Sequence, residues 1–452
     1  MTKSLKTLLK PATILYTLLL ALLMSCSDND YINTVPSNST AVLSIDLGKA
    51  EGIDGASLLN AVLRTKDITS CGISLKEKMY VFETTDGNIG MCASVSDADQ
   101  LERILSTVAG KEGNSTLKKR DGMHFIMIGS WLIAHTDHAL AALGPITPAA
   151  RPDTERALRK MFHQDENHSI VSTPLYARLD TMSGAVSFVG QAQALPEKLM
   201  APITLGAPKE ADASQIMVAA HMSFNDNTLL IEGSTYSENA EIDKALKQAQ
   251  QSFRSITSTL VGTYDANNVF GMFMNVKGDE LLPLLQQNKS IQALLAGINT
   301  AIDMDNILRS VDGNITISVP TLSDTPSIQM TAKLSHSKWL ADIGYWKQSC
   351  PRGTTLTTIG NNMFCYAGTG TSFFFGVTPQ LYFVSGPTLQ QCQQGTQPAA
   401  HPLPQMVANA ITGSKMALLL NLKGFTAADH SGMSALIGKV LPNTEYIVYV
   451  KK

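Results

Sequence analysis

Two histidines flank a carboxylate in His135-Thr136-Asp137-His138, the densest polar cluster in the chain. Imidazole and carboxylate are the donors a zinc-type site uses. The cluster falls at the end of a strand-like run, where residues three apart point to opposite faces, so a loop would have to turn His135 and His138 together. A third ligand at a recognised spacing is missing, as is a His-Glu-x-x-His helix motif. The expectation is a solvated turn with no metal. His163 and His168, beside Asp165 and Glu166, read as an exposed helix end. Nucleophilic chemistry has still less behind it, because neither a Gly-x-Ser-x-Gly elbow nor a Ser-x-x-Lys with its companion motifs occurs. Gly368-Thr369-Gly370-Thr371-Ser372 joins two strands and lacks a lysine or a following helix, so it reads as a hairpin loop and not a phosphate cradle. Trp131, Trp339 and Trp346 are too scattered to announce a sugar platform. Paired acids for glycoside hydrolysis depend on a distance that only three dimensions give. No catalytic residue, metal or cofactor is expected, and the chain reads as a non-enzyme.

The cysteine with a chemistry written around it is Cys26. Lys3, Lys6 and Lys10 precede an apolar run over 14–23, and Leu23-Met24-Ser25-Cys26 closes it. A run this short with these flanks is a secretory signal, not a transmembrane helix. Leu23, Ser25 and Cys26 resemble a bacterial lipobox, with Met24 bulkier than usual at its position. The resemblance implies a lipoprotein signal peptide over 1–25, cleaved so that the mature chain starts at an acylated, palmitate-bearing Cys26. The alternative is an ordinary signal with a chance cysteine. Each buried acyl methylene is worth about 0.8 kcal/mol, so several chains hold a protein to a membrane firmly. Ser27-Asp28-Asn29-Asp30 resembles the acidic tag that sends Bacteroidota lipoproteins to the outer face of the outer membrane; the other reading is a polar tether, taken here over 26–39. The expected setting is the cell envelope, as an outer-membrane lipoprotein exposed at the surface.

Cys71, Cys92, Cys350, Cys365 and Cys392 remain, an odd number whose spacing fits no disulfide framework. Cys92 reads as a small buried hydrophobe, and a bridge is expected between Cys350 and either Cys365 or Cys392. The formal charge of −3 becomes more negative once the lysine-bearing leader is removed, so no basic stripe exists to track phosphates and nucleic acid is not a partner. With 16% charged and 44% hydrophobic residues the mature chain has a filled interior, long enough for two or three domains.

The elements that must carry any site follow from periodicity. Residues 41–47 alternate as a half-buried strand, and Leu58, Leu59, Val62 and Leu63 mark a short helix. Strands at 79–83 and 89–95 turn about Asp86-Gly87, a hairpin signal. Ser96 with Asp99 opens a helix through Leu101, Ile104, Leu105 and Val108. Strands follow at 123–128 and 131–135, then a helix over 156–162 opened by Asp153, and a strand at 175–180. A hairpin over 216–233 and a long helix over 242–261 complete this set. Residues 270–276, 281–285, 315–334, 363–384, 416–422 and 446–450 then restate the same order. Ala93, Val95, Ser96, Leu101 and Ile104 match Ala332, Leu334, Ser335, Leu340 and Ile343 at one offset. The expectation is an α+β protein of two similar halves, 40–262 and 263–452, each an antiparallel sheet with helices on one face. Phe373-Phe374-Phe375 requires either both faces covered or an exposed aromatic patch.

The cysteine after the leader, the opening strand ending Asp46-Leu47-Gly48-Lys49 and the repeated strand, helix and hairpin resemble a family of uncharacterised Bacteroidota lipoproteins, known as a domain of unknown function. The resemblance implies an envelope location and brings no catalytic residues. Asp180-Thr181-Met182 resembles a Bacteroidota O-glycosylation sequon, which would place a glycan on Thr181. The leading reading is a lipid-anchored binding or scaffolding module facing an envelope protein or a glycan. Its competitors are a surface hydrolase of glycans or peptides and a carrier of apolar ligands.

Overall fold

Antiparallel strands with helices packed against them make up the computed structural model, which describes residues 30–46, 71–111, 117–195, 200, 203–287, 302–321, 327–368, 371–424 and 444–452. The leader, Cys26 and the helix expected around Leu58 to Leu63 lie outside the described residues. The chain divides into two compact units, a smaller one of Met1–Ser39 with Val62–Thr173 and a larger one of Thr40–Ala61 with Pro174–Lys452.

Strand β1 (Ala41–Asp46) belongs to the larger unit. The smaller unit holds β2 (Lys78–Glu83), β3 (Ile89–Ser94), β4 (Lys118–Arg120), β5 (Met123–Ile128), β6 (Trp131–His135) and β7 (Ala139–Gly144). They form one antiparallel sheet in the order β4-β5-β6-β7-β3-β2. Its turns follow the sequence. Gly87 takes φ +75° in the β2–β3 turn and Gly129 takes φ +57° between β5 and β6, a region glycine enters without a Cβ clash. Every residue of β7 is buried, because helical segments cover both faces of this sheet. Helix α1 (Ala98–Lys111) lies on the face that carries His124, burying Leu101 and Leu105. On the opposite face Tyr31 accepts a hydrogen bond from the Cys92 thiol at 3.4 Å through its carbonyl oxygen. Helix α2 (Arg151–Phe162) packs along β6 and β7.

The larger unit threads β1, β8 (Val186–Gln191), β9 (Met217–Asn225), β10 (Thr228–Tyr236), β11 (Phe270–Lys277), β12 (Val311–Val319), β13 (Gln329–Leu334), β14 (Thr355–Gly360), β15 (Met363–Gly368), β16 (Thr371–Val377), β17 (Tyr382–Gly386), β18 (Met416–Asn421) and β19 (Tyr446–Lys451) into one sheet. The order is β1-β8-β9-β10-β19-β18-β11-β12-β13-β17-β16-β15-β14. Its pairs are antiparallel except β10 with β19. Trp339, Phe375 and Phe383 sit at the centre of its largest core. Phe375 is fully buried and Phe373 and Phe374 are half-buried, so the triplet makes no flat exposed patch. Gly368 pairs with Thr371, so the Gly-rich segment joins two paired strands.

The structure corrects several expectations. Residues 31–39 are no tether: Tyr31, Ile32 and Val35 are buried, and the Tyr31 hydroxyl donates to Lys78 O at 2.7 Å. Helix α1 is capped by Asp97, whose Oδ1 accepts from Gln100 N at 2.9 Å, and not by Ser96. Residues 174–180 are helix α3 (Pro174–Asp180), not a strand. Pro174 suits a first helical turn, and Leu175 and Leu179, four apart, bury one face. The long helix ends early as α4 (Ala240–Gln251). Phe253 then bridges to Val276, and Arg254 N donates to Asn275 O at 2.8 Å, so the chain follows a strand edge instead. The β-branched Ile256 and Thr257 do not favour a continued helix, which resumes only for the single turn Ser258–Val261. The compact units part at Thr173/Pro174, inside the first expected repeat of 40–262, because the β10–β19 pairing draws the strands of 186–236 into the larger sheet.

Candidate functional site

Helix α2 carries Asp153, Thr154, Ala157, Lys160 and Met161 at helical spacing, and this face opens on a cleft of about 920 Å³ within the smaller unit. The β2–β3 turn also lines it. Gly87 N donates to Thr84 O and Thr84 N to Asn88 O, each at 2.9 Å, fixing the tip that presents Asp86. Segment 36–38 closes one end, tied to the turn where Asn38 Nδ2 donates to Thr85 Oγ1 at 3.3 Å. Residues 163–168 adjoin that same end, where Ser37 N donates to His168 O at 3.3 Å, and Leu143, Ile146 and Met161 add apolar lining.

Several of the polar side chains lining the cleft are already engaged. Thr84 Oγ1 donates to Asn88 O at 3.2 Å and Thr154 Oγ1 to Ala150 O at 3.0 Å, so these hydroxyls are held by the backbone and have no adjacent base. Asp165 Oδ1 lies 2.6 Å from His168 Nδ1 and accepts from His168 N at 3.1 Å. The His168 hydrogen bond holds the Asp165 carboxyl below the usual range, so it stays ionised and cannot serve as a proton donor near neutrality. His163 Nδ1 faces Arg159 O at 2.7 Å, which caps the end of α2. None of the described residues lining the cleft is Trp, Tyr or Phe.

The residues singled out in the sequence are placed as follows. Thr136 to His138 form a turn that exposes Asp137 and His138, as expected. His135 does not belong to it: it is 2% exposed and turned into the fold, so the two histidines do not meet. Its burial, the main cause, pushes its pKa below the ordinary histidine value. Cross-strand pairing sets His135 opposite His124, with ring centroids 5.0 Å apart. Neither His124 nor Glu102, which lies beside it, stood out in the sequence; the two-residue turn Gly129-Ser130 was the signal, since it sets 124 against 135. Cys350 and Cys365 are free thiols and do not form the anticipated bridge. The Cys350 thiol donates to Trp346 O at 3.3 Å, whereas Cys365 lies in the sheet opposite Phe374. Cys392 is also free and buried. Thr181 is exposed just beyond α3, its hydroxyl donating to Arg178 O at 2.7 Å. Among the described residues no helix is long and apolar enough to cross a membrane.

Comparison with known proteins adds the following. No curated protein matches the chain. The solved structure of crystal form I of TP0453 is similar at 10% identity and a TM-score of 0.31, over 48% of this chain and 82% of that one. Crystal form IV of TP0453 gives 11% identity and a TM-score of 0.26, over 40% and 68%. A family profile matches residues 49–397, most of the sequence, and by that match the chain belongs to the family described as Domain of unknown function (DUF4836).

Proposed function

We propose that this protein is a lipid-anchored binding module of the cell envelope, acylated at Cys26 and held at the outer membrane with its folded units outside the cytoplasm. The leader, the Leu23-to-Cys26 motif and the acidic Ser27-to-Asp30 stretch support the location. The observation that carries the binding role is the 920 Å³ cleft. Its lining carries Asp86, Asp153 and Asp165 together with Lys160, its Thr84 and Thr154 hydroxyls donate to the backbone, and Leu143, Ile146 and Met161 add apolar surface. Such a cleft suits a polar peptide segment better than a sugar ring, which would want an aromatic face to stack on. The occupant is therefore a segment of an envelope protein, and the role is capture or scaffolding, not turnover.

A photo-crosslinking amino acid at Thr154 should give a protein adduct in intact cells. The adduct should disappear when Ala157→Trp fills the cleft while leaving the melting temperature within a few degrees. Polysaccharide adducts, or protein adducts that survive Ala157→Trp, would overturn the peptide reading. Separately, Cys26→Ala should abolish palmitate labelling and release the protein from membrane pellets. Continued pelleting after a carbonate wash would remove the anchor from the proposal.

A further inference from the structure

Glu102 from α1, His124 from β5 and His135 from β6 converge inside the smaller unit, with one ligand-capable atom of each within 4.8 Å of the others. His135 is buried, and its Nδ1 faces the Thr136 carbonyl at 3.4 Å. That contact favours a proton on Nδ1 and leaves Nε2 with an in-plane lone pair, the arrangement of a metal-binding imidazole. Nε2 is buried and has no hydrogen-bond partner. His124 Nδ1 lies 2.8 Å from Glu102 Oε2, yet off the line of a hydrogen bond, so this buried nitrogen is also unsatisfied. The two rings meet edge to face at 79°. Buried polar atoms are normally paired, and leaving two ring nitrogens orphaned beside a carboxylate is costly. A cation shared among the three would satisfy all of them at once.

We infer that Glu102, His124 and His135 form a binding site for a divalent transition-metal ion of the zinc class. Two imidazoles and one carboxylate are borderline ligands that suit zinc and its neighbours, whereas magnesium and calcium want an all-oxygen shell. The scaffold is rigid where it needs to be. His124 and His135 are direct cross-strand partners, and α1 is pinned by buried Leu101 and Leu105. Three protein ligands leave a fourth position open. The side chains of Glu102 and His124 are 38% and 19% exposed, which gives water or a small anion access to it.

The test is metal titration of the purified full-length protein after chelator treatment, using Zn²⁺ by calorimetry and Co²⁺ by its visible absorption. One equivalent of each should bind, excess Mg²⁺ should not compete, and bound Co²⁺ should show the strong bands of a low-coordinate site. His124→Ala and Glu102→Gln should each weaken binding at least about tenfold with the circular dichroism spectrum unchanged. Both sit at partly exposed positions, so the test does not depend on how a His135 variant folds. Absence of saturable binding, or one-to-one binding that survives in both variants, would overturn the assignment and leave an ordinary Glu102–His124 ion pair.

Discussion

Lys451 is 7% exposed in the larger unit, with Nζ 3.5 Å from Thr235 Oγ1. Burial above all, and then nearby Lys415, lowers its pKa from 10.5 to about 8. Between those values the unfolded chain holds a proton that the folded chain does not, so stability rises as pH climbs through the interval; below about 8 the charge is buried at full cost. Lys451→Met should therefore stabilise the protein at pH 7, by up to about 3 kcal/mol, and flatten its stability profile between pH 8 and 10. Chemical denaturation at several pH values measures both effects; an unchanged slope would mean the lysine reaches water. The cysteines give a second residue-scale prediction. Burial pushes the Cys92 and Cys392 thiols up to about 12, where they are inert as nucleophiles. Alkylation under denaturing, non-reducing conditions should modify Cys92, Cys350, Cys365 and Cys392, and two missing groups would reveal a bridge.

At the scale of elements, residues 30–34 form a short 3-10 turn that packs against the smaller sheet, although the surrounding sequence is polar. Ile32→Ala should cost about 2–4 kcal/mol, because Ile32 is buried. A tether would lose nothing, so urea denaturation followed by hydrogen exchange in β2 and β3 separates the two readings. Hairpins were the most legible elements, since their turns are written locally. Asp226 and Asn227, at φ 45° and 59°, make the β9–β10 turn of the hairpin expected over 216–233. Helix α3 was misread because seven residues with two buried leucines satisfy either period, and only Pro174 argued for the helix. The cleft was illegible for another reason: 36–38, 84–88 and α2 are neighbours only through the sheet that gathers them. His135 was legible as a ligand type, but its partners were hidden in an apolar strand and a surface helix.

At the scale of the whole molecule, one order of pairing occurs twice. Strands β4-β5-β6-β7-β3-β2 and β14-β15-β16-β17-β13-β12 follow the same path, as do β1-β8-β9 and β11-β18-β19. We take this as the trace of a duplication over 40–262 and 263–452, with β10 added between the two sets. Only the first set carries Glu102, His124 and His135, so the proposed metal site would belong to one copy. Strand β19 lies between β10 and β18 with Val448 and Val450 buried. Ending the chain at Glu445 should therefore destroy cooperative unfolding of the larger unit; a retained transition would show that β10 and β18 close without it.

That same strand has a kinetic consequence. Residues 228–233 cannot meet their parallel neighbour until 446–451 has been synthesised, so the open border of β10 waits through the whole second half of synthesis. Until then that border is open to pairing with another chain, and a sheet of this order closes only with its last strand.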